Sequence, residues 1–200
     1  MQNNIIENIK SRRSVREFLD KPIPEDIAEK IIEAGRFAPS ALNRQAWKFI
    51  PIDNKELISE LSGIATKRVK MLYKLSPLLK PFMKDLKDER FLNTIKKTAE
   101  NPGDTVFYGA PLVVFVAGDT GFSDARTDCH LAAQNMMLAA YSMGIGSCFI
   151  GRGRAIPKKI FLKKIGLPPS YNIDACVIFG YPKAFPKTPP ARKEDTVLRI

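Results

Sequence analysis

The stretch that most limits what this chain can fold into is Asp124 to Met143, "DARTDCHLAAQNMMLAAYSM". It is built from small and apolar residues, with alanines on more than one helical face and few charges. A helix apolar almost all round must be packed on several sides. The run therefore predicts a central core or interface helix, stopped by Gly144. Two apolar runs flank it at a distance, "APLVVFVAGD" and "IDACVIFGYP", each the length of a buried strand. The 200 residues suffice for one domain with a sizeable core.

The remaining elements follow from periodicity and punctuation. Ile5, Ile6 and Ile9 predict a short first helix, and "KPIPEDIAEKIIEAGRFAPS" a stronger one, with prolines and acids at its start and Gly35 and Pro39 at its close. "WKFIPI" predicts a strand, and Asn54 a short helix ending near Leu61. From Gly63 to Lys97, apolar residues at helical spacing alternate with lysines, and Pro77 and Pro81 predict a break into two or three short helices. "SCFIG" predicts a short strand and "IPKKIFLKKIGLP" a helix with a glycine stop. The proline-rich tail "KAFPKTPPARKEDTVLRI" predicts an extended arm that must dock to be ordered. Helices and strands mix, but not in the strict β-α-β rhythm of a doubly wound fold.

Composition excludes several functions. An apolar fraction of 44% and a charged fraction of 26% are those of a soluble globular protein. No apolar run approaches the ~20 residues of a membrane span, and the start "MQNNIIENIK" is no secretory signal, so a cytoplasmic location is expected. Three cysteines without a C-x-x-C, Cys129, Cys148 and Cys176, predict buried free thiols. The single histidine, His130, leaves little room for a hydrolase triad or a multi-histidine metal site. The net charge is +11, and +7 of it falls between Lys67 and Lys97. That patch is read as a solvated helical face, or as a basic surface that lies on a membrane or binds nucleic acid. The two prolines count against a continuous interfacial helix, and the aromatics are few.

Three stretches carry possible chemistry. "SRRSVREF" places Arg12, Arg13 and Arg16 within five residues around Ser14. The repulsion among them fits either a solvated helix end or a shared anion, most simply a phosphate, to which guanidinium presents a planar donor fork. "APSALNRQAW" offers Ser40, Asn43 and Gln45, either ordinary loop residues or donors and acceptors for a ligand. "GIGSCFIGRGR" lacks the spacing of a dinucleotide fingerprint and the G-K-[ST] of a P-loop. It predicts a helix cap and tight turn into a strand, or bare backbone at Gly151 against which a flat ligand lies.

Taken in order, R-R-S-x-R, P-S-A-x-N-x-Q-x-W, "FYGAPLVVFVAGD", "GIGSCFIG" and "FGYPKAFPKTPPARK" resemble the nitroreductase family of FMN-dependent oxidoreductases, from Ile5 to Lys193. The resemblance implies an α+β fold with a central mixed, mostly antiparallel sheet flanked by helices, in an intertwined homodimer. It implies one domain over 1–200, with a helical insertion at about 62–101 and a C-terminal arm at about 183–200. By resemblance, Arg12, Ser14 and Arg192 hold the FMN phosphate, with Lys193 a weaker candidate, and Arg13 lies along the phosphate or ribityl chain. Arg16 sits near the pyrimidine edge of the ring, Ile150 and Gly151 run beneath it, and Pro39, Ser40, Asn43 and Gln45 reach the FMN of the partner subunit. Ala46 stands where the family often has proline, which loosens the turn after Gln45. NADH or NADPH is the implied donor, and a small electron-poor acceptor such as a nitroaromatic or quinone the implied oxidant, in ping-pong order. No catalytic side chain, metal, nucleic acid or membrane is implied; a specialised or non-catalytic flavoprotein of the same fold is the alternative.

Overall fold

The computed structural model describes residues 4–199. Four strands form one sheet in the order β1-β2-β4-β3, with β1 at Trp47–Ile52, β2 at Leu112–Asp119, β3 at Gly146–Phe149 and β4 at Tyr171–Gly180. All three pairings are antiparallel, and one isolated parallel bridge joins Ser14 to Ser147. Successive residues of a strand face opposite ways, and β2 shows the consequence. Val113, Phe115 and Ala117 enter one core, while Leu112, Val114 and Val116 enter another. A sheet buried on both faces needs the continuous apolar runs that the sequence contains.

Helix α2 (Glu25–Arg36) and helix α5 (Ala125–Ser142) cover one face. The buried positions of α5, from Ala125 through Cys129, Ala132, Ala133 and Met136 to Ala140, form a wide stripe at i, i+3, i+4 spacing. Gly144 ends the helix in the left-handed region at φ +74°, as its sequence predicts. Helix α1 (Asn4–Ser11) also lies on α5, where Asn8 Nδ2 donates to the Leu138 carbonyl at 3.0 Å. Leu131 remains exposed on the outer side, with Ile5, Ile9, Phe37 and Leu42.

The opposite core holds Ile58 and Leu61 of helix α3 (Lys55–Leu79), Phe161 of helix α6 (Lys158–Ile165), and Val15 and Phe18 from the segment after α1. Phe115 stacks edge-on with both Phe107 and Phe161.

Of the two breaks expected in the basic segment, the one at Pro81 is present, between α3 and a following 3-10 turn, and the one at Pro77 is not. Helix α3 runs unbroken for 25 residues, absorbing the short helix expected to end near Leu61 and passing through Pro77. Proline removes the bond to the carbonyl four residues back, here that of Tyr73. Ser76 Oγ donates to that carbonyl at 2.7 Å instead, so the helix keeps its last turn. After Pro81, a short 3-10 turn (Lys84–Lys87) leads into helix α4 (Glu89–Glu100), whose cap residue Asp88 accepts from the Arg90 and Phe91 amides. Val69, Leu86 and Ile95 give this pair of helices a small core of its own.

Candidate functional site

Segment 12–16 lies along strand β3. Val15 N–H donates to the Ser147 carbonyl at 2.9 Å, and a Cβ on Gly146 would stand 2.9 Å from the Val15 side chain. Glycine at 146 therefore permits the close approach that puts the arginine cluster against the sheet edge. Three buried polar atoms there have no hydrogen-bond partner: Arg12 Nη1, Arg13 Nε and Ser147 Oγ. Arg13 Nη1 is committed to the carbonyls of Lys10 and Arg12, where it caps the end of α1. Burial is the main cause that depresses the Arg12 guanidinium below its ordinary value; Cys148 opposes it, and Arg13 and Arg192 add to it. Arg192 thus reaches the neighbourhood of Arg12 from the far end of the chain.

The arm that carries Arg192 docks first on its own chain. Lys183 N–H donates to the Glu17 carbonyl, and Phe185 stacks edge-on with Tyr141 at 5.2 Å. Beyond it, Arg192 and Lys193 are exposed. Buried donors nearly always find partners. Two guanidinium nitrogens and a hydroxyl left without one, beside further positive charge, fit a phosphate-bearing group.

The flank of this cluster is set by β3 and by the turn after it. Ile150 N–H donates to the Cys176 carbonyl at 2.7 Å, and a 3-10 turn covers Gly151–Ala155. A Cβ at Gly151 would meet nothing within 4 Å, so bare backbone faces open space there. Arg16 is exposed, and its guanidinium carbon lies 5.9 Å from the centre of the Tyr108 ring. Thr105 Oγ1 is a fourth buried atom without a partner.

Pro39, Ser40, Asn43 and Gln45 stand apart from this group, and among the described residues no hydrogen bond joins the two sets. Their loop is anchored at the start of α5, where the Ala41 amide donates to the buried Asp128 carboxylate at 3.3 Å. Ser40 Oγ accepts from the Gln45 amide, and Gln45 Nε2 donates to Asn43 Oδ1, both at 3.1 Å. Leu42, Asn43 and Gln45 all have positive φ, near +50°. Such backbone costs of order 1 kcal/mol or more per residue and is typical of loops held for a purpose.

The sequence does not single out Ser147, Thr105, Tyr108, Asp128 or Arg152. Ser147 had a signal: it is a hydroxyl inside an otherwise apolar strand. His130 is half-buried with its ring 5.7 Å from that of Phe149, and all three cysteines are buried and free. Asp174 is the extra residue at the bulge between β2 and β4; burial raises its carboxyl despite Arg126, His130, the Gly118 amide and Arg154.

An α+β sheet buried on both faces, with an arginine cluster beside its edge strand, is the frame of a known class, and the family model for it matches residues 9–181: the chain belongs to the Nitroreductase family. It is similar to the crystal structure of a nitroreductase with bound FMN from Desulfitobacterium hafniense DCB-2, at 28% identity and a TM-score of 0.79, with 100% of each chain covered. The corresponding structure from Bacteroides fragilis NCTC 9343, also with bound FMN, gives 29% identity and a TM-score of 0.76, again over 100% of each chain. Among curated relatives, an FMN reductase [NAD(P)H] of Bacillus subtilis strain 168 is 24% identical over 90% of this chain and 66% of its own.

Proposed function

We propose that this protein is an FMN-dependent NAD(P)H oxidoreductase that reduces a small electron-poor acceptor such as a nitroaromatic or a quinone. The observation that carries the reading is the set of unpartnered buried donors on Arg12, Arg13 and Ser147. A bound FMN supplies hydride uptake from NAD(P)H and delivery of the electrons to the acceptor. The chain's part is to bind, orient and exclude water. Arg12, with Ser14 beside it and Arg192 and Lys193 from the arm, holds the phosphate. Arg13 contributes through Nε, while its Nη1 is spent on α1. Arg16 sets a cation near the ring's pyrimidine edge, favouring the reduced state, and Ile150 and Gly151 offer open backbone beneath it.

The loop 39–45 completes the site from a second copy. Its separation from the arginine cluster within one chain supports that arrangement, as do the exposed apolar side chains of Ile5, Ile9, Phe37, Leu42 and Leu131. We therefore include a homodimer, with segment 62–101 an insertion at its edge and the arm at 183–200 reaching back to the phosphate. No helix among the described residues is long and apolar enough to cross a membrane, and we place the enzyme in the cytoplasm.

The test is the visible spectrum of the purified protein, alone and with FMN, then with NADH or NADPH without oxygen. Flavin absorbance that bleaches with either donor supports the reading, and the faster donor names the cosubstrate. A protein that stays colourless after incubation with FMN overturns it.

A further inference from the structure

Arg152 has the opposite situation to Arg12. It follows Gly151 directly, is half-buried, and its guanidinium donates three hydrogen bonds to the protein. Nη1 donates to Thr98 Oγ1 at 2.7 Å. Nη2 donates to the Thr105 carbonyl at 2.8 Å and to the Tyr108 hydroxyl at 2.7 Å. Thr98 is 1% exposed and lies on α4; its own hydroxyl donates to the Thr94 carbonyl, so the acceptor site is turned toward Arg152. Tyr108 is held at φ +57° with its ring below Arg16. A bulky residue in the left-handed region stays there only if its surroundings over-determine it. Here the hydroxyl is held by Arg152 and the ring face by Arg16.

We propose that Arg152 is a positioning residue that couples helix α4 to the flavin site. The proposal rests on the FMN reading above. Through one guanidinium, α4, the loop before β2 and the backbone at Gly151 are tied into a single unit. A shift of α4 therefore moves the backbone beneath the ring and the tyrosine that faces Arg16. A lysine has one point charge and cannot serve three acceptors in fixed directions, so the role needs arginine. Coupling is reciprocal: what α4 does to the bound cofactor, the cofactor does to α4.

The experiment compares FMN-loaded wild type with Arg152→Lys, Arg152→Gln and Thr98→Val. Two readouts are taken: the rate of FMN release on dilution, and amide hydrogen exchange across α4 and 104–109. Arg152→Gln is expected to release FMN about tenfold faster, roughly a 1.4 kcal/mol loss, with faster exchange confined to α4 and 104–109. Arg152→Lys should recover little of this. Thr98→Val changes a residue the reading places outside the cofactor site and removes one acceptor with little change of shape. It should still speed FMN release about threefold, and should keep the fold even if Arg152→Gln does not. Unchanged FMN release in Thr98→Val, or exchange that rises equally throughout the chain, overturns the proposal while the flavin reading stands. A wild-type protein that takes up no FMN overturns both.

Discussion

Two basic regions of this molecule are built differently. The first, Arg12 to Arg16, sits on a sheet edge with guanidinium atoms buried and unpartnered. The second, Lys67 to Lys97, has more positive charge, but its lysines and arginines are exposed on and between α3 and α4. Lys67 and Lys70 line a groove of about 570 Å³ between α3 and the 101–111 loop and are exposed, and Lys55 of the same groove is paired with Asp20 at 2.7 Å. Exposed charges are hydrated and screened. Buried donors have lost their water and gain it back only from a ligand. Under the proposed reading, the contrast teaches that desolvated, unpartnered donors, and not the count of charges, mark the phosphate site.

The largest test of the contrast is Arg12→Gln. Losing a charge-assisted bond to a phosphate costs about 2–3 kcal/mol, so the FMN dissociation constant should rise about 100-fold, read by flavin fluorescence. Thermal stability of the cofactor-free chain should hold or improve, because a half-buried charge with an unpartnered nitrogen has gone. A loss of affinity under threefold would break the comparison.

Burial should also show in the pH dependence of stability. Burial, with Asp174 and Asp128 nearby, pushes the Cys129 thiol up from its ordinary value near 9 to about 12. The unfolded chain therefore gives up this proton first. Stability from Cys129 is fully present below about pH 9 and is lost as pH rises toward 12. At pH 10 the loss is about 1.4 kcal/mol. Urea unfolding at pH 8 and pH 10 should show a smaller drop for Cys129→Ala than for wild type; equal drops would remove the thiol as the cause.

Ser147→Ala should separate binding from folding. A buried hydroxyl with no partner costs the folded chain about 1 kcal/mol. Removing it should raise the melting temperature of the FMN-free protein by a few degrees and weaken FMN binding by about fivefold. Both changes in the same direction would mean that the hydroxyl faces no ligand.

The smallest effect is expected from the lysines. Lys67→Gln, Lys74→Gln and Lys84→Gln together should leave FMN affinity within twofold and raise the NADPH KM by less than about fivefold, an effect that 0.5 M salt abolishes. A salt-resistant loss of FMN would move the site to this face.

The strands and the long α5 were legible because burial on both faces leaves continuous apolar runs, and Gly144 and Gly166 stop helices where they stand. Helix α3 was less so. Pro77 is a true local break signal, overruled by one hydroxyl, and nothing in the spacing of Ser76 announces that repair. Of the site, the arginine cluster shows itself by self-repulsion. Arg152 does not, since its partners Thr98, Thr105 and Tyr108 lie 44–54 residues earlier and become neighbours only in the fold. Leu42 at positive φ is equally silent, because leucine is the wrong residue from which to expect it.

Strand β4 is an interior strand of the sheet, although it is the last of the four in the chain. Strand β3 has no other partner in the sheet, and segment 12–16 rests on β3. During synthesis, the first arginines to leave the ribosome therefore wait for almost the whole polypeptide before their seat exists, and Arg192 comes later still. A nascent chain stopped short of β4 has the cluster but no edge to hold it. If the cluster holds FMN as proposed, cofactor loading belongs to the end of biogenesis, and flavin retention becomes a sensitive report on whether the C-terminal quarter has been made and docked.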